Sequence, residues 1–128
     1  MKELSELEQW VTIALSDYDV ALHLFNSMHP KPLEIICYHC QQCAEKALKG
    51  FLFYKKVNFP KTHDLSIICE MCIEQNSDFE NFFAAAKSLT IYATRLRYPS
   101  EIGLHEHHAK KALENAKAIY DFCMTKIK

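Results

Sequence analysis

Apolar residues recur along the chain at steps of three and four between short polar breaks, the pattern of successive amphipathic helices. Leu7, Val11, Ala14, Tyr18, Ala21, Phe25 and Met28 fall on one face, widened by Trp10 and Leu24, and predict a first helix over Glu3 to Met28. His29-Pro30-Lys31-Pro32 breaks it, because each proline removes a backbone donor and turns its predecessor away from the helical region. Ile36, Cys40, Cys43, Ala47, Phe51 and Tyr54 then predict a second helix from about Leu33 to Val57, giving out near Asn58 and Pro60. Beside its apolar face run His39, Gln42, Lys46 and Lys49, also three and four apart, so that helix carries a second, polar line.

A short third helix is predicted from about Asp64 to Gln75, with Leu65, Ile68, Cys69 and Cys72 inward. Ser77 and Glu80 have the spacing of a capping box, and they predict the start of a fourth helix reaching about Arg97. Its inward residues are Phe79, Phe82, Phe83, Ala86, Leu89, Ala93 and Leu96, and Tyr98-Pro99-Ser100 ends it. A fifth helix runs from about Leu104 to the end, with Ala109, Ala112, Leu113, Ala116, Ile119, Tyr120 and Cys123 inward. These elements predict one all-α domain over residues 1–128, an antiparallel up-down four-helix bundle with an additional short helix.

The composition agrees with that architecture. Only two glycines and four prolines occur, and 128 residues suit a single core rather than two. A formal charge of −1 provides no global field for nucleic acid, so any basic patch must be local. Met1 to Trp10 is acidic and amphipathic, unlike a signal peptide, and no apolar run approaches the ~18 residues of a membrane span. A prokaryotic cytoplasm is therefore the expected compartment, with no membrane contact. The six cysteines include Cys37, Cys40 and Cys43 at cluster-like spacing, and Cys69 and Cys72 as a further pair. Both sets lie on helical patterns without ligand loops, which favours small buried packing residues over a metal or cluster. No cofactor is expected: a Gly-rich phosphate loop, a Gly-x-Ser elbow and a paired-acid metal motif are all missing from the sequence.

The candidate chemistry gathers at one end of the predicted bundle. Arg97 follows Ala93 by one turn, and His105 and His108 precede Ala109 and Ala112 by one turn. The Tyr98-to-Gly103 connection brings Arg97, Tyr98 and those histidines together, with Gln42, Lys46, Lys49 and His63 able to line the same cleft; His107 points to solvent. Each has a second reading. Lys46 and Lys49 suit phosphate contacts or ion pairs with Glu45 and other acids. His63 suits proton transfer or, with Asp64, a helix cap. Arg97 suits bidentate phosphate binding or helix-terminal carbonyls, and Tyr98 base stacking or core closure. His105 and His108 have the spacing of a zinc pair lacking a third ligand. Asp17 is expected as a buried partner for a lysine or histidine.

Trp10 with Ala14 and Asp17, then Gln41-Gln42-x-x-Glu45-Lys46-Ala47-Leu48-Lys49, Pro60-Lys61-Thr62-His63-Asp64-Leu65 and Arg97-Tyr98-Pro99, together resemble the HEPN (higher eukaryotes and prokaryotes nucleotide-binding) domains. The resemblance spans nearly the whole chain. It implies an antiparallel helical bundle acting as a homodimer, binding a nucleotide or RNA phosphate, and paired with a minimal nucleotidyltransferase in a toxin–antitoxin-like system. Members that are ribonucleases carry an Arg-x4-6-His motif, in which histidine moves the 2′-hydroxyl proton and arginine stabilises the phosphorane, without metal. Here Arg97 and His105 are separated by seven residues, so the motif is not matched. The alternative to a nucleotide-binding or degenerate ribonuclease protein is a non-catalytic helical interaction module.

Overall fold

In the computed structural model, residues 3–93 and 103–127 are described. All their regular structure is helical: α1 (Glu6–Ser27), α2 (Leu33–Tyr54), α3 (Leu65–Gln75), a 3-10 segment (Ser77–Phe82), α4 (Phe83–Leu89), a second 3-10 segment (Thr90–Ala93) and α5 (Glu106–Lys126). The start of α1 meets the end of α2, so these helices are antiparallel. α4, with its 3-10 ends, runs against α2 from Phe79 beside Phe51 to Tyr92 beside Cys37. α5 starts at the same end as α2, where Lys31 and Glu106 pair at 3.0 Å. The predicted all-α bundle with an additional short helix, α3, is what forms.

Local chemistry sets the ends of the helices. Ser5 and Glu8 form a reciprocal capping box, so α1 begins at Glu6 rather than Glu3. It stops at Ser27, and Met28, expected inward, turns into extended backbone and is 51% exposed. α2 stops at Tyr54, three residues short of the predicted Val57. There the Lys56 amide donates to the Phe53 carbonyl (3.0 Å) and the Val57 amide to the Leu52 carbonyl (2.9 Å), with Lys56 at φ 61°. This is the paired-bond C-terminal motif that glycine usually completes. A lysine in the left-handed region carries no glycine signature, which is why the sequence pattern overran the end.

The fourth predicted helix needs the largest correction. Asn76, not Ser77, accepts the first amide, from Asp78 (2.9 Å), so no Ser77–Glu80 capping box opens the segment. The tighter 3-10 geometry over Ser77–Phe82 turns Phe79 fully into the core, where it meets Phe51 and Phe122 with ring centroids at 4.5 and 4.8 Å. The predicted continuation to Arg97 lies beyond Ala93, outside the described residues.

α2 is the central element, with thirteen buried positions that include Gln41, Glu45 and Lys49. Gly50 permits α1 to cross it closely: a Cβ placed there would lie 3.1 Å from Trp10 Cβ, on the backbone side of a packed helix. All six cysteines are free and buried. Burial pushes Cys37 and Cys69 up to about 11 and Cys43 up to about 12, and raises Cys40, Cys72 and Cys123 as well. The Cys72 and Cys69 thiols donate to the Leu48 and Phe79 carbonyls at 3.7 and 3.8 Å. Among the described residues no group of three or more His, Cys, Asp or Glu side chains is placed to hold a metal ion.

Two measurements check this packing. Gly50→Val should cost about 2–3 kcal/mol in denaturant unfolding, because the added atoms press on the Trp10 Cβ, the root of that side chain, which can give way only if α1 shifts. Thiol titration with an aromatic disulfide at pH 8 should find the native cysteines inert and all six reactive once the chain is unfolded. Rapid native reaction would show that the core is not closed over them.

Candidate functional site

The polar line of α2 divides between two carboxylates. Asp17, from the face of α1 that packs on α2, accepts His39 Nδ1–H at Oδ1 (2.8 Å) and Lys46 Nζ at Oδ2 (2.8 Å). His39 and Lys46 stand two turns apart, and the carboxylate sits between them and joins α1 to α2. Asp17 is thus the lysine and histidine partner that its place in the α1 pattern predicted, though partly rather than fully buried, with 12% of its side chain exposed.

Glu45 is the second centre, on α2 itself. Its Oε1 accepts Gln41 Nε2 (3.0 Å) and His63 Nδ1–H (2.9 Å), and its Oε2 accepts Lys49 Nζ (3.1 Å). Burial alone would raise the Glu45 carboxyl. The hydrogen bonds from Gln41, His63 and Lys49, with the Lys49 charge, outweigh that and hold it below the usual carboxylate range. Gln41 is fully buried and also donates to the His63 carbonyl (3.2 Å), while its own oxygen accepts from Gln42 Nε2 (2.7 Å). The connection after α2 is thereby pinned to the helix it leaves. Asp64 caps α3 through the Ser66 amide and hydroxyl (2.9 and 2.6 Å), bonds that lower its carboxyl. The Leu65 amide donates to Thr90 Oγ1 (2.9 Å), tying α3 to the end of α4.

A third cluster surrounds the start of α5. The His105 backbone N–H donates to His108 Nδ1 (2.9 Å), the imidazole reaching back as the acid of a capping box does. Because Nδ1 accepts, the His108 ring proton resides on Nε2, which makes that atom a hydrogen-bond donor rather than a base. The His105 ring stacks on those of His107 and His108 at 5.7 and 5.8 Å, and the residue is exposed. His107 is exposed, as expected, though its ring also lies 4.1 Å from that of His108. Beside them an open cavity of about 230 Å³ is lined by Ser88, Tyr92, His107, His108, Lys111 and Asn115.

Of the predicted site residues, Gln42, Lys46, Lys49 and His63 join the two carboxylate networks, His63 through Nδ1 alone with 66% of its side chain still exposed. His105 and His108 are together at the other cluster. Arg97 and Tyr98 lie outside the described residues. Sequence reasoning missed Tyr92 and Lys111 as neighbours of the histidines. Lys111 follows His108 by three positions on one helix face, a signal that was available, whereas Tyr92 arrives from α4 and had none.

A helical bundle whose central helix carries these engaged polar residues defines the class of fold. The model of the HEPN domain matches residues 7–127, and the chain belongs to that family. The archaeal HEPN homologue ST0689 has a solved structure similar to this one, at 24% identity and a TM-score of 0.74, covering 98% of this chain and 100% of that one. TT1696 from Thermus thermophilus is similar at 23% identity and a TM-score of 0.75, covering 96% of this chain and 99% of its own. At those identities the likeness establishes the fold. No curated relative matches the sequence. No described helix is long and apolar enough to cross a membrane.

The Glu45 network sets an acid limit on stability. A carboxyl lowered on folding contributes above its unfolded value of about 4.3, and that contribution disappears as pH falls through the lower folded value. Glu45→Gln should cost about 3 kcal/mol near neutrality, because it leaves Lys49 buried without a countercharge. The gap between wild type and variant should narrow from pH 5 to pH 3 in thermal melts. A gap independent of pH would show that Glu45 acts through shape rather than charge.

Proposed function

We propose that this protein binds a nucleotide or an RNA phosphate group at the start of α5, as a homodimer partnered by a minimal nucleotidyltransferase in a toxin–antitoxin-like pair. The observation that carries the reading is the gathering of His107, His108 and Lys111 around one open cavity, with the exposed His105 ring stacked on the two histidines. His108 Nε2–H and Lys111 are donors without an acidic partner among the cavity's lining residues, which suits a phosphate. Tyr92, at the cavity wall, offers a ring edge for a base. Membership of the HEPN family supports the ligand class and the dimer; the partner is carried only by the resemblance of the sequence motifs.

Metal-independent RNA cleavage is the stronger form of this reading. It assigns His105, an exposed residue, to proton transfer and Arg97 to the phosphorane. His108, with Nδ1 engaged by the backbone, would donate to a phosphoryl oxygen. The second reading, a non-catalytic interaction module, is favoured by the engagement of Lys46, Lys49, Gln42 and His63 in structural networks, which leaves fewer groups free for a ligand.

Calorimetry with ATP, GTP and a short single-stranded RNA, beside an RNA cleavage assay in EDTA, tests the reading. Wild type should bind at least one ligand, and His105→Ala, Lys111→Ala and Arg97→Ala should each weaken it about tenfold, as expected for a lost charge-assisted phosphate contact. Cleavage lost in both Arg97→Ala and His105→Ala would establish the ribonuclease. An absence of heat and of cleavage in a folded protein would shift the function to partner binding.

A further inference from the structure

The cavity at the start of α5 has a closed floor and a row of donors along one wall. Leu89 and Ala112, both buried, seal its base. On the α5 side stand His108, Lys111 and Asn115, three and four residues apart and therefore in line on one side of the helix. His108 Nδ1 accepts the His105 backbone N–H, which leaves Nε2–H as its donor, and Lys111 adds an ammonium. At the far end the Ser88 hydroxyl donates to the Ala85 carbonyl (2.8 Å), so its oxygen is left to accept Asn115 Nδ2 (3.1 Å). Those two bonds fix the Asn115 amide, whose second N–H makes no bond among the described residues.

Volume selects among phosphates. About 230 Å³ is below the roughly 300–1,000 Å³ of pockets that enclose a whole small ligand, so the cavity admits a phosphate with part of its sugar rather than a complete nucleotide. With its floor closed, it receives a group that enters end-on. A strand end does so, whereas an internal phosphodiester must bring a sugar on both sides. A terminal phosphate monoester also presents three free oxygens, one for each donor in the row.

Charge matching then requires a proton. A monoester carries about −1.5 to −2 at pH 7, and Lys111 is the one permanent cation among the described lining residues. On α5, Glu106 is turned to Lys31 at 3.0 Å and Lys110 lines the groove towards α1. The α4 side contributes Ser88 and Tyr92, both neutral. His108 cannot accept a proton at Nδ1 without losing the bond that caps α5. The second positive charge must therefore form on His107, or on the exposed His105 stacked against it.

We infer that this site captures a terminal phosphate monoester, on an RNA end or on a free nucleotide, and takes up a proton as it binds. Asn115 becomes a phosphate contact beside His108 and Lys111. The inference rests on the phosphate-binding reading above and specifies its ligand.

Calorimetry of the full chain at pH 7.5 tests it. The probes are one short RNA bearing a 5′-hydroxyl, a 5′-phosphate or a 3′-phosphate, and AMP beside its methyl ester, a diester. Monoesters should bind about tenfold tighter than their hydroxyl or diester counterparts. Buffers of different ionisation heat should reveal net proton uptake in wild type and less of it in His107→Gln. Asn115→Leu, folded by circular dichroism, should bring the monoester and diester affinities together. Phosphorylated RNA binding tighter than AMP would assign the ligand to a strand end, and the reverse order would assign it to a free nucleotide. Equal binding of monoester and diester by wild type would overturn the inference and leave phosphate binding standing. Heats independent of the buffer would overturn the proton uptake, and an unchanged Asn115→Leu would remove that contact. Failure of every probe to bind would overturn the phosphate-binding reading as well.

Discussion

Burying Glu45 on the central helix is the constraint to which the rest of the chain answers. α2 is enclosed by α1, α3 and α5, and Glu45 and Lys49 retain only 5% and 6% of their surface. A carboxylate withdrawn that far from water costs several kcal/mol unless it is matched, so its oxygens must meet donors at fixed places. Lys49 and Gln41 are supplied by the same helix, one turn to either side. The remaining donor, His63, must come from outside it. That requires the chain to leave α2 early and double back, which the left-handed Lys56 accomplishes, and it places Asp64 to start α3. The Thr90 bond to Leu65 then passes the restraint on to α4.

Asp17 performs the same task between α1 and α2, and together the two carboxylates explain why a polar stripe crosses a core helix. Four of its members look like a ligand-binding row in the sequence, yet each is held by a partner within the chain. The consequence for function is a displacement. Groups able to meet an outside phosphate are at the start of α5, where no carboxylate lines the cavity and where His105 remains exposed. Scaffold chemistry and candidate ligand chemistry thus use similar residues in separate clusters.

Most of the fold was legible because helical periodicity is a local signal. The inward residues of α5 and α3 were read correctly, and so were the break at Pro30 and Pro32 and the packing role of the cysteines. What was not legible depended on tertiary contact or on atypical capping. Lys56 ends α2 in a conformation that favours glycine, and Asn76 forestalls the capping box that Ser77 and Glu80 advertise. The partition of the polar line between Asp17 and Glu45 turns on which face of α1 reaches α2, a distance of more than twenty residues in sequence. Spacing placed His105 and His108 together. It did not show that His108 would spend one nitrogen on the backbone.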